Sequence, residues 1–261
     1  MTLFGQNRKV PLAMAGQTTT LLITSTIDPD PRVHLLQVTN CEQRLSQYLE
    51  AFEFYCKTVA DGVFDRIVYT DNSGYPLDDL IAVAERANVR DRVEFISYKS
   101  SISPDNSRYF LEINLIDHAM RNSAFLKDRQ GLVWKVTGRY VVQNCAEIIR
   151  DWPKGADLWV NCRNRPYPVL DFYFLGFRCD TFEQHIGKAI EQYEGRIDGE
   201  KLLRQRIDTG DFDAVIVKRF RRPPRLYGVR GYDGSQYGNR KDTIKYRMRR
   251  LMAVIAPQVW I

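Results

Sequence analysis

Short apolar segments alternate with helical patterns through the first 160 residues of this 261-residue chain. The apolar segments lie at residues 20–27, 65–70, 93–97, 132–136 and 157–162. Helical patterns separate them at residues 41–59, 77–87, 108–125 and 145–150. Buried strands that alternate with helices predict a Rossmann-like α/β domain with a mostly parallel central sheet and helices on both faces.

Polar clusters follow three of the predicted strands, at residues 27–31, 71–74 and 135–140. Right-handed crossovers bring the carboxyl ends of parallel strands to one edge of the sheet, and ligands bind at that edge in open α/β folds. We therefore expect the ligand site of the chain to lie where these clusters meet.

The cluster at residues 135–140 contains Lys135, Thr137, Gly138, Arg139 and Tyr140. Two cations, a hydroxyl and a glycine suit a diphosphate, because arginine offers a fork of N–H groups and lysine a point charge. The same residues could also form a solvated charged turn, and their spacing alone does not decide between the two. The chain contains no Walker-type phosphate loop.

The cluster at residues 71–74 begins with Asp71, Asn72 and Ser73. These side chains can hydrogen-bond the base or ribose of a nucleotide, or they can form an Asx turn that simply ends the strand. Both interpretations remain open from the sequence.

Several carboxylates are candidates for a general base or a metal ligand, namely Glu112, Asp157, Asp171, Asp180 and Glu183. Acids of this kind are more often structural or solvated. Asp171 stands out because it interrupts the aromatic-rich apolar segment at residues 169–177, and a buried carboxylate is suited to proton transfer. We take Asp171 as the candidate catalytic residue and assign no metal ligands.

The carboxyl-terminal part has helical patterns at residues 182–193 and 202–207, a late strand at residues 214–217 and a final helix at residues 241–255. The net charge of +6 is concentrated here, between residues 218 and 250, and suggests an anionic partner: nucleotide phosphates, an anionic membrane or nucleic acid. The glycine-rich residues 227–238 predict a mobile loop that closes over a diphosphate, with Arg230, Ser235 and Lys241 as phosphate ligands. A plain flexible loop is the alternative.

The five cysteines are widely spaced and only three histidines are present, which argues against a zinc site or a disulfide framework. Free cysteines fit a reducing cytoplasm. No signal peptide is predicted, and no stretch approaches the roughly 20 apolar residues of a membrane span. We expect a cytoplasmic protein.

With these motifs in order, residues 20–190 resemble a GT-A-type glycosyltransferase of the kind that builds bacterial or viral surface polysaccharides such as lipopolysaccharide or capsule. The most specific element is Lys-x-Thr-Gly-Arg-Tyr at residues 135–140, preceded by a helix with Glu112 and by the cluster at residues 71–74. The resemblance implies one domain over residues 1–261. It would comprise a nucleotide-sugar-binding half at about 20–165, an acceptor-side half at about 166–217 and a basic loop and helix at 218–261.

The resemblance also implies the partners: a nucleotide-sugar donor and a glycan or lipid-linked acceptor. Asp71 would lie near the nucleoside, and Lys135 and Arg139 near the phosphates or the sugar of the donor. Most GT-A enzymes hold Mn²⁺ or Mg²⁺ with an Asp-x-Asp element, but here residues 135–140 lie where that element is expected. We expect protein cations to replace some or all of the metal's charge, so a metal requirement stays open.

The final helix could carry an apolar stripe of Ile244, Leu251, Val254 and Ile255 beside basic residues. This pattern suits peripheral binding to the inner face of an anionic membrane, and a docked terminal helix is the alternative.

Two other functions stay open. One is a sugar nucleotidyltransferase, which would usually carry a basic, glycine-rich loop after the first strand, but residues 27–32 are acidic and proline-rich. The other is a nucleic-acid-binding protein that uses the basic tail, but the sequence shows no recognised nucleic-acid-binding fold. We expect no nucleic acid.

Overall fold

The computed structural model describes residues 17–34, 36–165, 167–182, 198–230 and 234–256. Most of the helix predicted at residues 182–193 lies outside these ranges, as does Glu183. The helices are α1 (Cys41–Ala60), α2 (Asp78–Arg86), α3 (Arg108–Asn122), α4 (Cys145–Arg150), α5 (Gly199–Thr209) and α6 (Arg240–Ile255). The strands are β1 (Thr19–Ser25), β2 (Arg66–Asp71), β3 (Val93–Ser97), β4 (Leu132–Thr137), β5 (Tyr140–Val142), β6 (Leu158–Trp159), β7 (Cys162–Arg163), β8 (Val169–Leu170), β9 (Phe174–Arg178), β10 (Ile216–Val217), β11 (Leu226–Val229) and β12 (Gln236–Tyr237).

Seven of these strands form one sheet in the order β10-β6-β9-β4-β1-β2-β3. β1 pairs in parallel with β2 and β4, β2 pairs in parallel with β3, and β6 pairs in parallel with β10. β9 runs antiparallel to both of its neighbours, β4 and β6. The predicted fold class, α/β with a mostly parallel central sheet, is confirmed.

Successive residues of β1 belong to opposite hydrophobic layers, as expected for a strand that is buried on both faces. Leu21 and Ile23 pack in the layer that contains α1, α2 and α4, whereas Leu22 packs in the layer that contains α3 and α5. All three side chains are fully buried. Helices therefore cover both faces of the sheet, and this explains why the strand reads as a continuous apolar run.

Polar side chains cap the first turns of α1, α3, α5 and α6. Asn40, Ser107, Asp198 and Asn239 each accept a hydrogen bond from the backbone N–H three residues further on. Such caps satisfy N–H groups that have no partner within the helix. Because α5 begins at the Asp198 cap, local sequence sets the position of Glu200 in its first turn.

Residues 227–238 differ from the predicted loop, because they include two strands. β11 pairs antiparallel with β12 on one side and with β5 on the other. Gly228 has a φ of +127°, and a Cβ there would lie 2.3 Å from the Arg139 carbonyl oxygen. The glycine thus permits a close approach of two strands, and pairing with β5 holds β11 against the sheet edge.

The single strand predicted at residues 157–162 is divided between β6 and β7, which belong to different sheets. β7 leaves the central sheet to pair with β8 in a short antiparallel hairpin. The aromatic-rich segment at residues 169–177 likewise contains β8, a turn and most of β9. None of the described helices is both long enough and apolar enough to cross a bilayer.

Candidate functional site

A cavity of about 580 Å³ opens at the carboxyl ends of β1 and β4, where Thr24 and Thr137 line it. The loop after β1 and the start of α1 form one side, and residues of α3 and α5 form another. The β11–β12 hairpin and α6 contribute further residues. This is the sheet edge at which a ligand is expected in an open α/β fold. Its volume lies within the usual range of small-molecule sites.

Two buried arginines line this cavity: Arg44 is 3% exposed and Arg139 is 7% exposed. Arg44 donates to backbone carbonyls and to the Tyr48 hydroxyl. Arg139 donates to the Gln47 side chain at 3.3 Å, while its Nε has no hydrogen-bond partner. Burial lowers the pKa of Arg44, and the nearby charge of Arg139 lowers it further.

Neither arginine forms an ion pair with a carboxylate among the residues that the structure describes. A buried cation without an ion pair is unfavourable, because it has lost its hydration and lacks a full compensating attraction. Arg44 receives only part of that attraction, from the more distant charge of Asp71. An anionic group in the cavity would supply that attraction. The arrangement of Arg44 and Arg139 is therefore typical of an anion-binding site.

The predicted phosphate segment at residues 135–140 is divided between the cavity and the core. Thr137, Arg139 and Tyr140 line the cavity. Lys135 is fully buried and pairs with Glu112 at 2.6 Å. The alternation of side chains along β4 turns Lys135 towards the layer that contains α3. Lys135 consequently lies beneath the cavity and not in it.

The turn residues after β2 and β4 mainly join strands to one another. Asp71 is fully buried and accepts hydrogen bonds from the Ile27 N–H and the Ser73 N–H, which is the Asx-turn alternative. Asn72 lines the cavity, whereas Ser73 is bonded to the loop after β1. At Gly138, a Cβ would come within 2.8 Å of the Thr24 carbonyl oxygen, so this glycine admits the backbone of β1 and not a ligand.

Asp171 lines the cavity, but both oxygens of its carboxylate are engaged. Arg163 approaches Oδ1 with Nε at 2.8 Å and Nη2 at 2.7 Å. Asn161 and Tyr173 donate to Oδ2 at 2.7 and 3.1 Å. This geometry favours an anchoring role for Asp171, because a proton transfer would require it to give up existing bonds.

Two other candidate carboxylates, Asp157 and Asp180, lie elsewhere, whereas Glu112 lines the cavity. Asp157 and Asp180 both pair with Arg178, at 3.6 and 2.6 Å, and do not line the cavity. These ion pairs explain both residues without a ligand.

Glu200, in the first turn of α5, is a carboxyl group of the cavity that the sequence did not single out. Its Oε1 accepts the Phe172 N–H at 3.1 Å, and Tyr109 is a second hydrogen-bond partner. Burial, together with the charge of Asp171, raises the pKa of Glu200 from 4.5 to about 7. A carboxyl group that titrates near neutral pH is suited to general acid–base chemistry. In sequence it looks like an ordinary acid in a first helical turn.

Replacing Glu200 with glutamine should flatten the pH dependence of stability. Since the pKa of Glu200 rises from 4.5 to about 7 on folding, its protonation stabilises the fold fully below pH 4.5, and this contribution is lost as the pH rises through 7. The difference in the free energy of unfolding between Glu200→Gln and the wild type should shift in favour of the variant by on the order of 2 kcal/mol from pH 4 to pH 8. Urea unfolding across this range measures the difference. Parallel profiles would contradict the shift, and Glu85→Gln on the exposed side of α2 is the control.

The basic carboxyl-terminal segment contributes only part of its charge to the site. Arg230, Lys245 and Arg249 line the cavity, whereas Ser235 and Lys241 do not. The Arg230 guanidinium lies 4.1 Å from the ring centroid of Tyr237 in β12. α6 thus turns one face towards the cavity.

In the described ranges, no group of three or more His, Cys, Asp or Glu side chains is arranged to hold a metal ion.

No protein-family model and no curated protein sequence matches this chain. Solved structures similar in fold include the galactosyltransferase LgtC in complex with donor and acceptor sugar analogs, at 12% identity and a TM-score of 0.46 over 76% of this chain and 72% of that chain. A protein from Desulfovibrio desulfuricans G20, provisionally described as a nucleotide-diphospho-sugar transferase, gives 14% identity and a TM-score of 0.45 over 77% of this chain and 78% of that chain.

Proposed function

We propose that this chain is a glycosyltransferase that moves a sugar from a nucleotide-sugar donor to a glycan or lipid-linked acceptor. The observation that carries the proposal is the pair of buried arginines without carboxylate partners, Arg44 and Arg139, at the carboxyl ends of β1 and β4. A diphosphate is the anion that fits a site of two such cations. The same cavity also offers hydroxyl, carboxyl and aromatic groups that suit a sugar and a nucleoside.

In this proposal, Arg139 contacts the donor diphosphate and Arg44 adds a fixed positive charge behind it. Negative charge develops on the diphosphate as the bond to the sugar breaks, so preorganised cations lower the barrier. Of residues 135–140, which were expected to bind the donor phosphates, Arg139 and Thr137 take this role in the proposal. Lys135 instead pairs with Glu112. Activity before and after EDTA treatment tests whether Mn²⁺ or Mg²⁺ shares this charge.

Of the two carboxyl groups considered as general base, we propose Glu200 in preference to Asp171. The oxygens of Asp171 are occupied by Arg163, Asn161 and Tyr173. Glu200 is part of the same wall, and its pKa of about 7 suits removal of a proton from an acceptor hydroxyl. Transfer assays should show a larger loss of turnover for Glu200→Gln than for Asp171→Asn at equal donor occupancy. The reverse order would restore Asp171 as the candidate.

The experiment that tests the proposed function is a thermal-shift panel of UDP-, GDP-, CMP- and dTDP-sugars. A ligand that binds only the folded state raises the free energy of unfolding by about 2.7 kcal/mol at a concentration of 100 times its Kd. The melting temperature rises as a result. We expect at least one member of the panel to raise it, and the same member to support transfer to an added acceptor. No shift with any member, together with salt-sensitive binding of DNA or RNA, would instead favour the nucleic-acid alternative.

We further propose that α6 docks on an anionic membrane where surface polysaccharides such as lipopolysaccharide or capsule are built. Ile244, Leu251 and Ile255 are 51%, 58% and 64% exposed on the helix, and Val254 is 77% exposed. Basic side chains flank this stripe, and such a helix binds anionic lipid through both apolar burial and charge.

Loss of the apolar stripe should weaken vesicle binding. We expect Leu251→Ser combined with Ile255→Ser to lower the partition onto phosphatidylglycerol vesicles roughly 10-fold, because two apolar side chains no longer enter the lipid. Co-sedimentation measures this partition. Val215→Ser, an exposed apolar residue outside α6, is the matched control. If the wild-type protein does not co-sediment with anionic vesicles, membrane docking is contradicted.

A further inference from the structure

Glu112 of α3 reaches the middle of the sheet edge, between the ends of β1 and β4. Three donors converge on a single oxygen of its carboxylate. Thr24 Oγ1 and Thr137 Oγ1 donate to Oε1 at 2.8 and 2.9 Å, and Lys135 Nζ lies 2.6 Å from the same atom. The carboxylate is therefore held in one orientation by groups from two neighbouring strands.

Lys135 is wholly committed to this arrangement. Besides Glu112, its ammonium donates to Thr137 Oγ1 at 3.0 Å and to the Phe172 carbonyl oxygen at 2.7 Å. These three contacts match the three N–H groups of an ammonium. Burial lowers the pKa of Lys135, and the attraction of Glu112 opposes this shift. A lysine so enclosed serves Glu112 and does not reach a ligand.

The second oxygen of Glu112 is available to the cavity. The Glu112 side chain is 21% exposed and lines the cavity, and none of the described residues donates to Oε2. A carboxylate oxygen accepts hydrogen bonds and repels phosphate. The neutral, hydroxyl-bearing part of a ligand is thus the part that belongs beside it, while the diphosphate belongs beside Arg139.

We propose that Glu112 binds hydroxyl groups of the transferred sugar through Oε2 and so contributes to donor specificity, and that Lys135 is its positioning residue. This inference rests on the proposed function. The anchored geometry matters because a fixed acceptor rejects sugars whose hydroxyls point elsewhere, since their binding would leave a buried acceptor unpaired.

The experiment compares each free nucleoside diphosphate with its sugar-linked form by isothermal titration: UDP with UDP-glucose, GDP with GDP-mannose, and dTDP with dTDP-glucose. For the pair that the wild type binds, Glu112→Gln should weaken the nucleotide-sugar about 10- to 100-fold and the free nucleotide by less than about 3-fold. An equal effect on both forms, or none on either, would overturn the proposal and leave the function standing. A wild type that binds no member of either set would overturn the function itself and this inference with it.

Lys135 is tested by a double-mutant cycle. Lys135→Met leaves the Glu112 carboxylate without its counter-charge, so it should lower the melting temperature and weaken the nucleotide-sugar selectively. Combining Lys135→Met with Glu112→Gln removes both charges and should recover much of the melting temperature without recovering sugar affinity. A double variant with wild-type sugar affinity would refute the proposal, and this measurement stays informative even when Lys135→Met alone does not fold.

Discussion

Replacing Arg139 with alanine should weaken the binding of a nucleoside diphosphate about 100-fold and leave the fold intact. Arg139 is 7% exposed. Its guanidinium donates to one neutral side chain at 3.3 Å and has a buried Nε without a partner. The ligand-free protein therefore gains little from this charge, whereas a bound diphosphate would gain its strongest contact. Isothermal titration measures the loss of affinity, and urea unfolding should show a change in stability of no more than about 1 kcal/mol.

Two companion variants sharpen this prediction. Arg139→Lys keeps the charge but loses the planar fork, so it should recover only part of the affinity. Arg121→Ala removes an exposed arginine of α3 that pairs with Asp117, and it should bind as the wild type does. Wild-type affinity in Arg139→Ala would show that the anion site lies elsewhere.

Replacing Trp134 with alanine should lower the free energy of unfolding by about 3–5 kcal/mol, the largest stability change that we expect from a single substitution. Trp134 is fully buried in the middle of β4. Its ring centroid lies 4.9 Å from that of Phe174, and 5.8 Å from those of Trp152 and Trp159. Truncation would remove contacts to all of these rings and leave a cavity beside the site strand.

Trp134→Phe is the matched control. The indole Nε1 of Trp134 is buried without a hydrogen-bond partner, so its removal costs no hydrogen bond. We expect this variant to lose less than half of the stability that alanine loses, as measured by urea unfolding. Equal losses would indicate that stability depends on the specific shape of the indole, and that a smaller aromatic ring cannot replace it.

Elements whose packing is local in sequence were predictable. The predicted bounds of β3 and α4, at residues 93–97 and 145–150, agree with the structure. Their apolar runs and helical periodicity act within a few residues, so the sequence carries the information directly. The same holds for the order of strands and helices, from which the parallel sheet follows.

Elements that depend on distant partners were not predictable from local pattern. β5 is formed because Tyr140 pairs with Gly228, far along the chain, and each of the two segments is too short to be predicted as a strand by itself. Lys135 similarly looks like a ligand-binding cation until Glu112 from α3 is placed beside it. Glu200 needs both Tyr109 and Phe172 to become a partly buried carboxyl group. Tertiary contacts thus decide which charges of a cluster face a ligand.

A crystal structure with the nucleotide-sugar that the chain binds tests the proposed donor site directly. We expect the diphosphate in the cavity at the carboxyl ends of β1 and β4, with a phosphate oxygen accepting a hydrogen bond from the Arg139 guanidinium. We also expect the sugar ring beside Glu112. A nucleotide bound outside this cavity, or one inside it whose phosphates do not contact Arg139, would refute this donor site.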